Sequence, residues 1–180
     1  METNIVYIVR HGQTEENVQR ILQGHLPGKL TPQGVEQIQD TAERLKNLGV
    51  DFKRIVSSDL ERAYQSARIL SETLNLEISK EALFRERDWG TITGMPISEA
   101  RDKFRRNGVW EFPETVETEG MIMQRAQKAI QLLKEKYADG PLVVVTHGLM
   151  ARNLIAAVLG CEFREVQSFI NGEFRKITLK

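Results

Sequence analysis

Ile5-Val6-Tyr7-Ile8-Val9 runs into Arg10-His11-Gly12, and Leu142-Val143-Val144-Val145-Thr146 runs into His147-Gly148. Both runs are almost wholly apolar and β-branched, the pattern of strands covered on both faces by helices. They are read as central parallel strands, which need helical crossovers between them. The intervening sequence supplies helices. Thr31 caps one that starts at Pro32, whose missing N–H costs nothing at the first helical position. Val35, Ile38, Ala42 and Leu45 make its apolar stripe, and Gly49 ends it. A second stripe, Ala63, Ala67, Leu70 and Leu74, follows a cap at Ser58, and a third runs from Ile122 to Tyr137 after Thr118. Arg54 to Ser57 and Leu76 to Ser79 read as further strands. Gln167 to Ile170 and Glu173 to Leu179 read as a terminal hairpin turning at Asn171-Gly172, a favoured pair for a two-residue turn.

This order implies an α/β fold with a mostly parallel sheet, with ligands gathering at the carboxyl ends of the strands. The charged segment 94–117, holding Pro96, Gly108 and Pro113, is read as a cap over that edge within a single domain covering 1–180.

A chain of 180 residues buries a core without disulfides or metals. With 25 basic and 25 acidic residues its formal net charge is zero, so bulk electrostatics favour neither nucleic acid nor an anionic membrane. Any anion site has to be local. Cys161 is the only cysteine and cannot close an intrachain disulfide, which fits a reducing cytoplasm. The apolar start is too short for a signal peptide or a membrane span. The three histidines, His11, His25 and His147, lie too far apart in sequence for a helical metal motif, so no metal and no cofactor is expected.

Two histidines, each at the close of a buried strand and each followed by Gly, reach one sheet edge if those strands are neighbours. Glycine there lets backbone approach a ligand closely. Arg62, in the first turn after Ser57-Ser58-Asp59-Leu60-Glu61, is read either as a surface partner of Glu61 or Asp59 or, with Arg10, as a two-guanidinium clamp. The planar forks of such a clamp match phosphoryl oxygens. Arg85-Glu86-Arg87-Asp88-Trp89-Gly90 adds charge beside an aromatic ring.

These residues resemble the histidine phosphatase superfamily, also called the phosphoglycerate mutase-like proteins. Arg10-His11-Gly12-Gln13-Thr14 with Asn17, Gln23-Gly24 with Leu30-Thr31 and Gly34, Ser57-Ser58-Asp59-Leu60 with Arg62-Ala63, Arg85-Glu86 with Trp89-Gly90, and His147-Gly148 follow its blocks in order. The resemblance implies a three-layer α/β/α sandwich and a phosphohistidine intermediate on His11. It makes Glu86 the proton donor and Arg10, Arg62 and His147 the remaining catalytic groups. Arg10, Gly12, Asn17, Gln23, Gly24, Arg62 and Gly148 form the implied substrate-binding set. The implied activity is a metal-independent phosphomonoesterase acting on a small phosphorylated metabolite, with a cofactor-dependent phosphoglycerate mutase as the alternative. Only about sixty residues separate Glu86 from His147, too few for the lid that would keep water from a phosphohistidine in a mutase.

Several positions depart from the family pattern. His25 and Pro27 stand in the loop after Gly24, Leu149 replaces a frequent Gly, and Val116-Glu117-Thr118 replaces Gly-Glu-Ser. Glu117 and the basic run Arg101, Lys103, Arg105 and Arg106 are secondary candidates for substrate contact, and Trp110 and Phe112 are expected to pack. A non-catalytic phospholigand-binding domain and a phosphoprotein phosphatase are the other readings. Oligomeric state is open, a homodimer being one outcome.

Overall fold

The computed structural model describes residues 4–179. In chain order the elements are β1 (Asn4–Arg10), α1 (Glu15–Val18), α2 (Pro32–Asn47), β2 (Arg54–Ser57), α3 (Glu61–Leu74) and β3 (Ile78–Lys80). Then come α4 (Ile97–Phe104), β4 (Arg105–Arg106), β5 (Val109–Trp110), α5 (Glu119–Lys136), β6 (Leu142–Thr146), α6 (Gly148–Leu159) and β7 (Phe174–Leu179). The main sheet has the order β3-β2-β6-β1-β7, parallel except for β7, which runs antiparallel to β1.

Alternate side chains of the central strands feed two separate cores, as the period of two along a strand requires. Val6, Ile8, Val56, Leu142 and Val144 pack with Ile122, Ala126, Leu133, Met150 and Leu154 of α5 and α6. Tyr7, Val9, Ile55, Val143 and Val145 pack with Ile38, Ala42, Leu45, Ala63, Ala67 and Leu70 of α2 and α3. Both faces are therefore dry, which is why β1 and β6 carry no polar alternation. The result is the three-layer α/β/α sandwich expected. Fully burying each of the larger side chains contributes about 1.5–3 kcal/mol.

Helix α2 begins as its sequence signals: Thr31 accepts from the Gly34 amide at 3.0 Å, and Pro32 stands at the first position. Val35 is only half-buried, and Gly34 and Thr41 join the buried face. Ser58 is not the cap of α3. Leu60 holds that position without a side-chain hydrogen bond of its own, and the Ser58 hydroxyl, two residues earlier, accepts from the Leu60 amide at 3.3 Å and meets His147 Nε2 at 2.9 Å. Thr118 caps α5, accepting from Met121. The strand expected at Leu76 to Ser79 forms two residues later, at Ile78–Lys80.

The terminal hairpin does not form. Residues 167–170 contain no strand, and β7 pairs instead with β1 from Asn4↔Leu179 to Val9↔Phe174. The free edge of β1 offers six residue pairs. The carbonyls of the would-be first hairpin strand are taken by arginines, Gln167 and Ser168 by Arg175 and Phe169 by Arg10. Asn171-Gly172 turns the chain but locks the end of β1, with Asn171 Nδ2 donating to the His11 carbonyl and Gly172 N–H to that of Arg10.

Segment 94–117 holds α4 and the two-residue β4–β5 ladder. It is tied to residues 20–22 through Ile97 N–H to the Arg20 carbonyl, Leu22 N–H to the Met95 carbonyl and Gly94 N–H to the Leu22 carbonyl. Among the described residues no helix is long and apolar enough to cross a membrane.

Candidate active site

Parallel pairing of β1 with β6 sets Arg10 opposite Thr146, and the His11 amide donates to the Thr146 carbonyl at 3.0 Å. The next residue on each strand is therefore the histidine, and their ring centroids lie 5.1 Å apart. Sheet order brings together what 136 positions of sequence keep apart.

Hydrogen bonding assigns the His11 tautomer. Nδ1 is 2.7 Å from the Gly12 carbonyl, which only accepts, so Nδ1 carries the proton. Nε2 is then left with a lone pair, towards which the Nε–H of Arg62 points at 3.3 Å. Arg62 is 1 % exposed, which removes its surface ion-pair reading. Its Nη1 and Nη2 donate to the carbonyls of Leu26 at 2.5 Å and Gly24 at 2.9 Å. Burial lowers the Arg62 pKa to about 10, a value that keeps it cationic at neutral pH. Arg10 donates from Nη1 to the Phe169 carbonyl, while its buried Nε has no hydrogen-bond partner among the described residues.

His147 is fully buried, with Nε2 at 2.9 Å from the Ser58 hydroxyl and Nδ1 unpartnered. Unpaired buried donors and acceptors are costly unless a ligand satisfies them. Here both orphans, Arg10 Nε and His147 Nδ1, flank His11.

Burial, and then the positive charges of Arg62 and Arg10, push the pKa of His11 well below its usual value. His147 shifts the same way, for burial first and Arg62 next. Both imidazoles therefore stay neutral in the folded protein where the unfolded chain takes up protons, below about pH 6.5. The unfolded state then binds more protons, so stability falls as pH falls below 6.5, by up to about 1.4 kcal/mol per pH unit for each histidine. Urea unfolding between pH 6.5 and 5.0 should show this slope, and His147→Gln should remove part of it. A flat profile in that window contradicts the assignment of neutral rings.

Glu86 arrives from the loop after β3. Its Oε1 accepts from the amides of Arg87 at 2.9 Å and Met150 at 3.2 Å, and its Oε2 from that of Leu149 at 3.2 Å. The first turn of α6, whose amides lack intrahelical partners, thus holds the carboxylate beside His11. Arg10, His11, Asn17, Gln23, Gly24, Arg62 and Glu86 all line one pocket of about 140 Å³, walled on its apolar side by Leu22, Trp89, Ile97 and Leu149.

Two residues of the expected substrate-binding set are placed differently. The Gly12 amide donates to Ser66, and a Cβ on Gly12 would meet the Gly34 carbonyl oxygen at 2.3 Å. The close approach its glycine allows within the fold is to the Gly34 carbonyl of α2. Gly148 does not line the pocket, but a Cβ there would lie 3.5 Å from the Arg10 guanidinium. Thr14 caps α1, accepting from the Asn17 amide while the Asn17 Oδ1 accepts from the Thr14 amide and from Asn171 Nδ2. His25 does not enter the pocket; its Nε2 is 3.0 Å from the Glu86 carbonyl.

Sequence reading missed Ser58 as the partner of His147, and it missed Arg125. From α5, Arg125 donates to the carbonyls of Leu83, Arg85 and Glu86 and forms a two-pronged pair with Glu117. Glu117 in turn accepts from the Asp88 amide at 3.0 Å. This pair lies outside the pocket and fixes the loop that carries Glu86. A signal existed: Arg125 is three residues after Ile122 and next to Ala126, so it is a charge set on the edge of an apolar stripe. Breaking so enclosed a pair leaves one charge unmatched. Arg125→Ala should lose about 2–4 kcal/mol in urea unfolding, and a loss below about 0.5 kcal/mol would return the pair to a surface role.

In the basic run, Lys103 pairs with Glu99 and Arg106 donates to the Asp102 carbonyl, while Arg105 lines a second, larger cavity. Trp110 and Phe112 pack on each other and line that cavity too.

Comparison with known proteins matches this arrangement to one family. Residues 6–178 match the sequence profile of the histidine phosphatase superfamily, branch 1. A broad-specificity phosphatase of Saccharomyces cerevisiae is 33% identical over 165 residues, 86% of this chain and 70% of the yeast protein. A protein of Proteus mirabilis bearing the name probable phosphoglycerate mutase is 32% identical over 162 residues, covering 86% of this chain and 74% of its own. Among solved structures, a mycobacterial glucosyl-3-phosphoglycerate phosphatase in complex with VO3 is similar at TM-score 0.84 and 26% identity, over 96% of this chain and 92% of the other. The chain belongs to the histidine phosphatase superfamily, branch 1.

Proposed function

We propose that this phosphatase-family chain is a metal-independent phosphomonoesterase acting on small phosphorylated metabolites. The observation that carries the reading is the Nε2 lone pair of a neutral, buried His11, set in a pocket with two guanidinium groups and one carboxylate. Nε2 attacks phosphorus, a P–N bond forms and the P–O ester bond breaks. Protonated Glu86 gives its proton to the departing alkoxide. The Glu86 carboxylate then takes a proton from water, whose oxygen attacks phosphorus and releases inorganic phosphate and neutral His11. Arg10, Arg62 and His147 Nδ1 meet the phosphoryl oxygens, a role suited to the unpartnered Arg10 Nε and His147 Nδ1 and to the Arg62 Nε–H aimed at His11 Nε2. Segment 94–117 serves as a cap on a single domain, and the lone Cys161 fits a reducing cytoplasm.

Cationic donors already do the work of a Lewis acid in this pocket, and among the described residues no cluster of three His, Cys, Asp or Glu side chains is placed to hold a metal. Turnover should therefore survive exhaustive EDTA treatment. Loss of activity with EDTA, restored by a divalent ion, would sink the mechanism.

The mutase alternative is favoured by the names of several relatives but not by the space around the pocket, which opens beside a cavity of about 980 Å³, far larger than a three-carbon acid. An assay with 3-phosphoglycerate, with and without 2,3-bisphosphoglycerate, separates the two: phosphate release supports the phosphatase, and rapid isomerisation with little release supports the mutase.

A further inference from the structure

Leu22, Trp89, Ile97 and Leu149 border both the phosphate-sized pocket and the larger cavity. The side chains of this shared border carry a single polar atom, the Trp89 indole nitrogen, and form an apolar throat. An ester seated on His11 sends its leaving group through it. Hydroxyl or carboxylate groups on the first carbons of that leaving group would lose water there without gaining partners, a penalty of about tenfold or more for each.

Beyond the throat the cavity wall is aromatic. Trp89, Phe112 and Trp110 follow one another, with centroids 5.4 Å apart for the first pair and 4.8 Å for the second, which stacks at 14°. Against this wall lies Arg87, its guanidinium 4.7 Å from the Trp89 centroid and 5.1 Å from that of Phe112. Arg87 is only 8 % exposed, yet no carboxylate pairs with it. Its Nε donates to the Glu117 carbonyl at 2.7 Å, and its two Nη groups have no hydrogen-bond partner among the described residues.

Among the other cations of the cavity, Arg164 pairs with Glu119 and Arg152 donates to the Val166 and Arg164 carbonyls, while Arg105 is exposed and makes only a 3.5 Å Nε contact with the Gly108 carbonyl, so that Arg87 is the buried guanidinium with open donors. Of the acids near Arg87, Glu117 is engaged by Arg125 and Glu119 by Arg164, while Glu114 lines the cavity as an exposed residue. A buried guanidinium with open donors on a cavity wall is an anion site.

We propose that the substrate is an amphipathic phosphomonoester, with an apolar or aromatic group directly after the ester oxygen and an acidic group further along that binds Arg87. The ring would fill the throat and lie along the aromatic wall. This rests on the small pocket being the phosphoryl site.

The test is a matched series of primary-alkoxide esters: glycerol phosphate, benzyl phosphate, para-carboxybenzyl phosphate and its homologue with one more methylene before the carboxylate. Benzyl phosphate should exceed glycerol phosphate in kcat/KM by about 10- to 100-fold, the scale of burying one ring. The better carboxylated ester should gain about another tenfold from a charge-assisted contact. In Arg87→Met the carboxylated-to-benzyl ratio should fall to about one. In Trp110→Ala, a change on the half-exposed β4–β5 ladder, the benzyl-to-glycerol ratio should fall several-fold while the carboxylate ratio persists. Each reading is a ratio within one preparation, so partial unfolding cancels, and the wild-type series stands alone if Arg87→Met does not fold. Equal hydrolysis of glycerol and benzyl phosphates, or a carboxylate gain that persists in Arg87→Met, overturns the proposal and leaves the phosphatase reading intact. If p-nitrophenyl phosphate is not hydrolysed either, the phosphatase reading itself fails and the proposal with it.

Discussion

With p-nitrophenyl phosphate, Glu86→Gln should release one nitrophenolate per active site in a burst and then turn over slowly. Nitrophenolate departs without a proton, so His11 can still take the phosphoryl group, whereas hydrolysis of the phosphohistidine always needs water activated by a base. The amide has lost that base. The burst is expected from a folded protein, because a glutamine oxygen keeps two of the three amide contacts made by the carboxylate, leaving one N–H unpaired at a cost of about 1–3 kcal/mol. Alkyl esters should give no burst, since their leaving groups need the proton. Protein quenched after the burst should carry a phosphoryl group stable in base and labile in acid, mapping to His11, and His11→Ala should show neither burst nor label. A label elsewhere would overturn the assignment of His11. An undiminished steady rate in Glu86→Gln would move the acid to another residue.

Loss of the clamp is the second large effect. Arg62→Ala should reduce kcat/KM by at least about a hundredfold, the scale of removing one preorganised oxyanion donor, and Arg10→Ala should behave similarly. The structure adds a reason for Arg62. Its fork also ties the carbonyls of Gly24 and Leu26, so the alanine variant loosens the pocket wall that carries Gln23 and Gly24. Arg62→Lys should rescue little, because a single ammonium cannot meet His11 Nε2 and both carbonyls in the plane of a guanidinium. Kinetics within about threefold of wild type in either alanine variant would remove that arginine from the phosphoryl site.

The central strands were legible because their signal is local. Val143, Val144 and Val145 are apolar in succession, and only a strand covered on both faces buries all three. Thr31-Pro32 and Thr118 marked helix starts because a cap is chosen by neighbours within three residues. The terminal hairpin failed for the opposite reason. Asn171-Gly172 has the right turn chemistry, but the edge of β1, more than 160 residues earlier in the chain, competed for β7 and won with a longer register. The cap of α3 falls two residues after the expected Ser58, and the Ser58 hydroxyl, besides accepting from the Leu60 amide, meets His147 across 89 positions, a contact no local pattern records.

The sequence by itself determined the layered α/β order, the two His-Gly strand ends and the ordered blocks around Arg10, Arg62 and Glu86, since each depends on residue type and spacing within one segment. Only the tertiary structure decided which histidine nitrogen keeps a lone pair, which atoms stay unsatisfied beside it, that α6 holds the Glu86 carboxylate, and that Arg125 rather than any pocket residue anchors the acid's loop. It also decided that Arg87, buried on the wall of the larger cavity, keeps open donors there. Each of these is a choice of hydrogen-bond partner. Such choices follow from which strands lie side by side and which groups burial has deprived of water, and no local pattern of residues records them.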